Sequence, residues 1–193
     1  MKAVILNSLP AENKLNSIIR PFINQQLSKL GYEIKLFNLG ERNIAPCTGC
    51  DYCFEKKVGV CCKQDGMQDI YPKLANSELY IFITQINFGG FSSDLKKVID
   101  RFMPLFLPTY TIHKCELHHP RRYNNPQKLF FLGVLKDNFE EQKATFNLAA
   151  NRLEKAFFVS RAASVVAEET ADDSLIKQRI KEGFIERGGK VND

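Results

Sequence analysis

Short apolar runs alternate along this chain with stretches of helical periodicity, and that alternation limits the possible folds more than any other feature. Residues 2–6 (KAVIL), 32–38 (YEIKLFN), 79–84 (LYIFIT), 128–135 (KLFFLGVL) and 160–167 read as strands. Apolar runs without polar interruption are typical of strands buried on both faces. Between the first two, Leu15, Ile18, Ile19, Phe22, Ile23, Leu27 and Leu30 recur at helical spacing, and Gly31 is placed to stop the helix. Over 92–106, Leu95, Val98, Ile99, Phe102, Leu105 and Phe106 mark one helical face, with Ser92 or Ser93 as its cap. Asp65 and Gln68 read as a capping box for a short helix toward Ala75, in which Pro72 sits awkwardly. Two more helices are expected, over 140–156 and 171–187.

Five strands alternating with five helices predict an α/β fold: a five-stranded parallel sheet covered by helices on both faces. Right-handed crossovers and strand adjacency favour a flavodoxin-like, doubly wound sheet of order 2-1-3-4-5. The 193 residues are expected to form one such domain, with a cysteine loop over 44–64 and a long connection over 107–127. In this fold a ligand lies outside the carboxyl ends of the strands at the switch point. The loops that follow Leu6, Thr84 and Leu135 are therefore the ones to watch.

Composition narrows the function. The net charge of +5 suits anionic ligands such as nucleotide phosphates. No basic–aromatic pattern accompanies it, so no nucleic-acid partner is expected. No run approaches the ~20 apolar residues of a membrane span, and the apolar run over residues 1–6 is expected to be too short for a signal sequence. A cytoplasmic, reducing setting is expected, which disfavours structural disulfides. Walker loops, nucleophile elbows and His-Glu-x-x-His are absent. A bound cofactor, not a side-chain acid or base, would then carry any redox chemistry.

Five of the six cysteines lie in PCTGCDYCFEKKVGVCC, residues 46–62. Cys47, Cys50, Cys53 and Cys61 form C-x2-C-x2-C-x7-C, and Gly49 and Gly59 permit the turns such a loop needs. Three thiolates within seven residues and a fourth on a returning loop can close a tetrahedral or cubane site. The spacing leaves four possibilities open: an iron–sulfur cluster, zinc, a redox dithiol such as Cys50/Cys53, and a metal-free loop. Consecutive residues do not readily serve one compact cluster, so Cys62 is expected to point away from Cys61's site. Cys115 reads as a free thiol. His113, His118 and His119 near it match no firm metal-ligand template.

The first strand and Asn7-Ser8-Leu9-Pro10, Asn16-Ser17 at the first helix, the spaced cysteines and Gln64-Asp65-Gly66-Met67 occur in a distinctive order. Asn87-Phe88-Gly89 and the run from Leu95 to Arg101 complete it. Together they resemble the NADPH-dependent FMN reductase-like flavoproteins, and among them the iron–sulfur flavoproteins. The resemblance implies an FMN-dependent oxidoreductase that moves electrons from NAD(P)H or a redox carrier protein to an acceptor, as a homodimer or homotetramer. A flavodoxin-like electron carrier, or a non-catalytic relative without nicotinamide turnover, is the alternative.

A phosphate at a helix N-terminus is met by backbone N–H groups, hydroxyls and amides. The first loop offers Ser8, Pro10, Lys14, Asn16 and Ser17 for the FMN phosphate. Leu9 and Ala11 replace the serine and arginine usual in the family. Gln85, Ile86, Asn87, Phe88 and Gly89 match the family's segment at the flavin ring, with Asn87 where a tyrosine is usual. The resemblance assigns a [4Fe–4S] cluster to Cys47, Cys50, Cys53 and Cys61, preferring Cys61 over Cys62 for its distance to Asp65 and Met67. Asp100 and Arg101 read as an ion pair or a helix surface.

Overall fold

A computed structural model of the protein describes residues 1–123, 128–137, 139–159 and 161–184. Strand β1 (Lys2–Asn7) leads to helix α1 (Asn16–Lys29), and β2 (Glu33–Asn38) follows. The cysteine segment carries one helical turn, α2 (Tyr52–Glu55), and leads to α3 (Tyr71–Ala75). Next come β3 (Leu79–Gln85), α4 (Ser93–Asp100), and the short strands β4 (Thr111–His113) and β5 (Glu116–His118). The chain continues through β6 (Lys128–Leu135), α5 (Glu140–Ala156), β7 (Arg161–Glu168) and α6 (Asp173–Gly183). Ser160 and positions 185–187, expected at the ends of the last strand and helix, lie outside the described residues.

The main sheet has the order β2-β1-β3-β6-β7, parallel throughout. With the β4–β5 hairpin set aside, this is the flavodoxin-like order 2-1-3-4-5 expected from the alternation. Its strands alternate between two cores. Val4, Leu6, Tyr80, Phe82, Leu129 and Phe131 face one side, where Leu74, Leu95, Val98, Phe146 and Ala150 of α3, α4 and α5 cover them. Ala3, Ile5, Leu79, Ile81, Ile83, Phe130, Leu132 and Val134 face the other, under Ile19, Ile23 and Leu27 of α1 and Ile176 and Ile180 of α6. Each fully buried Val, Leu, Ile or Phe is worth about 1.5–3 kcal/mol. Strands apolar on both faces therefore need helices on both sides.

Several local expectations change. Asp65 forms no capping box: its carboxylate accepts from the Met67 N–H two residues on, while the Gln68 amide donates back to the Lys63 carbonyl. Pro72 sits in the first turn of α3, where its missing N–H costs nothing. The polar connection contains the antiparallel β4–β5 hairpin, turning through Lys114 and Cys115, both in the left-handed region. Ser92 caps α4, accepting from the Leu95 N–H at 3.4 Å. Among the described residues, no helix is long and apolar enough to cross a membrane.

Candidate functional site: strand-end loops and the cysteine pocket

The loops after β1 and β3 meet at the carboxyl edge of the sheet. Ser8 donates its hydroxyl to the Ile83 carbonyl at 3.1 Å, and Ser92 donates to Ser8 at 2.7 Å. Thr84 accepts the Ser92 N–H at 2.9 Å, so one chain of hydrogen bonds ties both loops to the start of α4. Asn16 is also committed internally: it accepts from Asn7 and donates to the Pro10 carbonyl at 2.6 Å. Ser8 and Asn16 are buried, whereas Pro10, Lys14 and Ser17 are exposed. Of the first-loop residues expected at the cofactor, two thus hold the loop's shape and three face outward.

The β3 loop closes as a tight turn. The Asn87 N–H donates to the Gly90 carbonyl and the Gly90 N–H to the Asn87 carbonyl. Phe88 and Gly89 both take positive φ, and Phe88 is 98% exposed at the tip. A Cβ on Gly89 would come within 2.6 Å of Thr145 Cβ, so the turn rests directly on α5. Ile86 is buried and Gln85 half-buried below the turn.

The cysteine loop hangs from one buried arginine. Arg101 follows α4 and is 1% exposed, contrary to the helix-surface expectation. It does not pair with Asp100, which pairs with Lys96. Its Nη1 donates to the Asp65 carboxylate at 2.6 Å and to the Ala45 carbonyl at 3.1 Å. Its Nη2 reaches Cys61 Sγ and the Lys63 carbonyl, both at 3.4 Å. Asp65 in turn accepts from the Ala45 N–H at 3.0 Å. Both ends of the loop are therefore fixed to the same ion pair. Burial pushes the Asp65 carboxyl up, but the bonds from Arg101, Ala45 and Met67 outweigh it and leave it below the ordinary range.

The long connection supports the loop from the other side. His119 packs its ring on Phe54 of α2, with centroids 4.6 Å apart, while its Nδ1 lies 3.1 Å from the Leu107 carbonyl. Arg122 donates to the Pro104 and Phe106 carbonyls and lies against Gly59, where a Cβ would meet its Nε at 3.0 Å. Glu116 fastens the hairpin to α5 by a bidentate pair with Arg152, at 2.7 and 2.8 Å.

Cys47, Cys50, Cys53, Cys61 and Cys62 all line one cavity of about 220 Å³, with Tyr71 and Arg101 also in its wall. Cys62 does not turn away: its Sγ lies 3.6 Å from Cys50 Sγ. Gly49 and Asp51, both at positive φ, turn the chain on either side of Cys50, whose thiol lies against the returning segment at Cys62. The Tyr52 N–H, and then Cys62, hold the Cys50 thiol below its usual range, while burial pushes the Cys53 thiol up. Among the described residues, no group of three or more His, Cys, Asp or Glu is spaced around a single metal ion. A larger cavity, about 510 Å³, is lined by Lys143, Asn147, Ser164 and Arg179, with neither a thiol nor a strand-end loop residue in its wall.

The sequence reading missed two elements of this site, the Arg101 clamp and the Ser8–Ser92 link. Arg101 sits one residue past a charged pair at helical spacing, so its pattern is that of an exposed helix end.

A family model described as NADPH-dependent FMN reductase matches residues 1–114. An iron-sulfur flavoprotein of Archaeoglobus fulgidus is 33% identical over 86 residues, 45% of this chain and 43% of that protein. An iron-sulfur flavoprotein of Methanocaldococcus jannaschii is 29% identical over 106 residues, 54% of this chain and 53% of that protein. The chain thus spans about half the length of the curated relatives it matches. By fold, it is similar to an NAD(P)H:quinone oxidoreductase from Methanothermobacter marburgensis, with TM-score 0.69 and 14% identity over 95% of this chain and 97% of that one. An FMN-dependent NADH-azoreductase from Bacillus anthracis, solved with FMN, gives TM-score 0.65 and 12% identity over 92% and 93% of the two chains. With more than half of its length matched by the family model, the chain belongs to the NADPH-dependent FMN reductase family.

Proposed function

We propose that this protein is an FMN-dependent oxidoreductase that takes hydride from NAD(P)H, or electrons from a redox carrier protein, and passes them to an acceptor. The observation that carries the reading is the hydrogen-bonded junction of the β1 and β3 loops, through Ser8 and Ser92, at the switch point of the sheet. The residues there suit a phosphate. The N-terminus of α1 has no side-chain cap and no acidic residue in its first turn, and the exposed Lys14 and Ser17 flank it. Ser8, Asn16 and Pro10, whose carbonyl accepts the Asn16 amide, would hold the loop in shape, and Lys14 would present its ammonium to the anion, with Ser17 turning its hydroxyl there from the Lys14 carbonyl. Gln85, Ile86, Asn87, Phe88 and Gly89 would frame the ring, the tight turn allowing close backbone approach. When bound, FMN would supply the hydride-accepting chemistry.

The cysteine cavity suits a thiolate-bound, anionic group. Five sulfurs open onto it, and the Arg101 Nε buried in its wall has no hydrogen-bond partner among the described residues. Cys47, Cys50, Cys53 and Cys61 are our choice of ligands for a [4Fe–4S] cluster, with Arg101 offsetting its charge. The relatives described as iron-sulfur flavoproteins favour a cluster over zinc. The exposed side chains of Phe88, Ile112 and Leu117 support assembly as a homodimer or homotetramer.

The test is anaerobic. FMN added to the purified protein should lose its fluorescence near stoichiometric ratio, and NADH or NADPH should then bleach the flavin bands. Loss of all flavin on gel filtration would overturn the reading. A bound flavin that dithionite reduces and neither nicotinamide does would replace the reductase with an electron carrier.

A further inference from the structure

The fifth cysteine has a partner that the four-ligand assignment leaves unused. Cys50 Sγ and Cys62 Sγ are 3.6 Å apart, both residues are exposed, and they lie 12 positions apart in the chain. Cys61, the immediate neighbour of Cys62, is half-buried and faces Arg101 Nη2 at 3.4 Å. The two adjacent cysteines are thus sorted by the backbone: one points into the wall of the cavity, the other toward Cys50 at its mouth. The sharp turn through Gly49 and Asp51 holds Cys50 on that side. Cys115, the remaining cysteine, lies at the turn of the β4–β5 hairpin, in a different part of the fold.

We propose that Cys50 and Cys62 form a thiol-oxidation site, closing to a reversible disulfide when no metal group holds Cys50. A small-molecule disulfide is the oxidant class that the exposed pair suits. The Cys50 thiolate attacks one sulfur of the oxidant, whose S–S bond breaks and releases one thiol. Cys62 then attacks the mixed disulfide and releases the second thiol. The pair loses two electrons and two protons, and the oxidant gains both. The closed link would remove Cys50 from the ligand set until a thiol reductant reopens it. This inference stands on the sulfur positions alone and does not depend on flavin binding.

The full chain is titrated with oxidised glutathione, with an iron chelator present, until no protein-bound iron remains. Free thiols are then blocked and the tryptic peptides mapped without reduction. Cleavage after Lys56 and Lys63 separates Cys50 from Cys62. The expected result is a linked peptide pair in the wild type and in Cys61→Ser, falling about tenfold or more in Cys62→Ser and in Cys50→Ser. Dithiothreitol should remove it in every case. A link that survives in Cys62→Ser, or a wild type whose iron-free thiols stay unlinked or join indiscriminately with Cys47 and Cys53, would overturn the proposal. Flavin fluorescence on the same samples keeps this result separate from the reductase reading.

Discussion

Arg101 donates to Asp65 at 2.6 Å with only 1% of the arginine side chain and 10% of the aspartate side chain exposed. The pair lies where the cysteine loop leaves and rejoins the fold, since the same guanidinium also binds the Ala45 and Lys63 carbonyls. Two charges taken out of water repay their desolvation only while each keeps its partner. Removing one member should therefore cost far more than removing an exposed pair such as Arg42–Asp69.

The first prediction follows directly. Arg101→Met should destabilise the protein by about 3 kcal/mol or more, because it strands a buried carboxylate. Arg101→Lys should recover only part of this, since one ammonium cannot reach the four acceptors that the planar guanidinium holds together. Urea unfolding of the three proteins checks it. An Arg101→Met variant as stable as the wild type would show that the clamp contributes nothing.

The second concerns pH. The Asp65 carboxyl is held below its usual range in the fold, so the unfolded chain takes up a proton there first as pH falls. The stabilisation is fully present above the unfolded value of about 3.9 and fades as pH falls through the lower folded value. Asp65→Asn should therefore be less stable than the wild type at pH 7, with the gap narrowing below about pH 4. Unfolding midpoints at several pH values measure it, and a gap that widens in acid would contradict the assignment.

Much of this was legible in the sequence. Strands such as KLFFLGVL have no polar face, so they could only be central strands of a covered sheet, and the order of the sheet follows from chain alternation. The strand-end loops were legible for the same reason. What the sequence could not show is how side chains cross between distant segments. Arg101 meets Asp65 across thirty-six positions and Ser8 meets Ser92 across eighty-four, and no periodicity records either contact. Cys62 was expected to point away from the site because consecutive residues do not readily serve one cluster, whereas it lines the same cavity with its sulfur against Cys50, where Gly49 and Asp51 turn the chain.

A third prediction addresses the hairpin that supports the cysteine loop. Hydrogen bonds from Arg152, and then Lys155, hold the Glu116 carboxyl down at about 2. With its folded value depressed, the contact is present above the ordinary glutamate range and is lost as pH falls through about 2. Glu116→Gln should speed amide exchange across β4 and β5 while leaving the protection of β1, β3 and β6 unchanged. Because the pair is solvent-accessible, added salt should speed the wild type's hairpin exchange in the same direction. Unaltered exchange in the variant would mean that packing alone holds the hairpin.

The fourth separates shape from contact in the β3 loop. Phe88 is almost wholly exposed, so Phe88→Ala should change stability by no more than about 0.5 kcal/mol. If the loop frames a flavin, the same change should weaken FMN retention without moving the melting temperature. Gly89→Ala should do both, since its φ of +77° and the nearby Thr145 leave no room for a methyl group. Equal FMN affinity in wild type and Phe88→Ala would remove Phe88 from the site.

The last prediction distinguishes the two adjacent cysteines. Cys61 lies in the cavity wall with its Sγ 3.4 Å from the buried Arg101 guanidinium, which suits it to a metal group. Cys62 is exposed at the mouth, paired with Cys50. Protein grown with ample iron and purified anaerobically should carry iron and sulfide in the wild type and in Cys62→Ser, with a visible absorbance that Cys61→Ser largely loses. Arg101→Met should keep its four thiols yet bind iron about tenfold or more weakly, as expected when a group that orients a ligand is removed. The readout is iron and sulfide per chain, measured without reference to turnover. Equal loss of iron in Cys61→Ser and Cys62→Ser would show that the backbone does not sort the pair. Iron-free wild type under these conditions would leave the loop a set of free thiols.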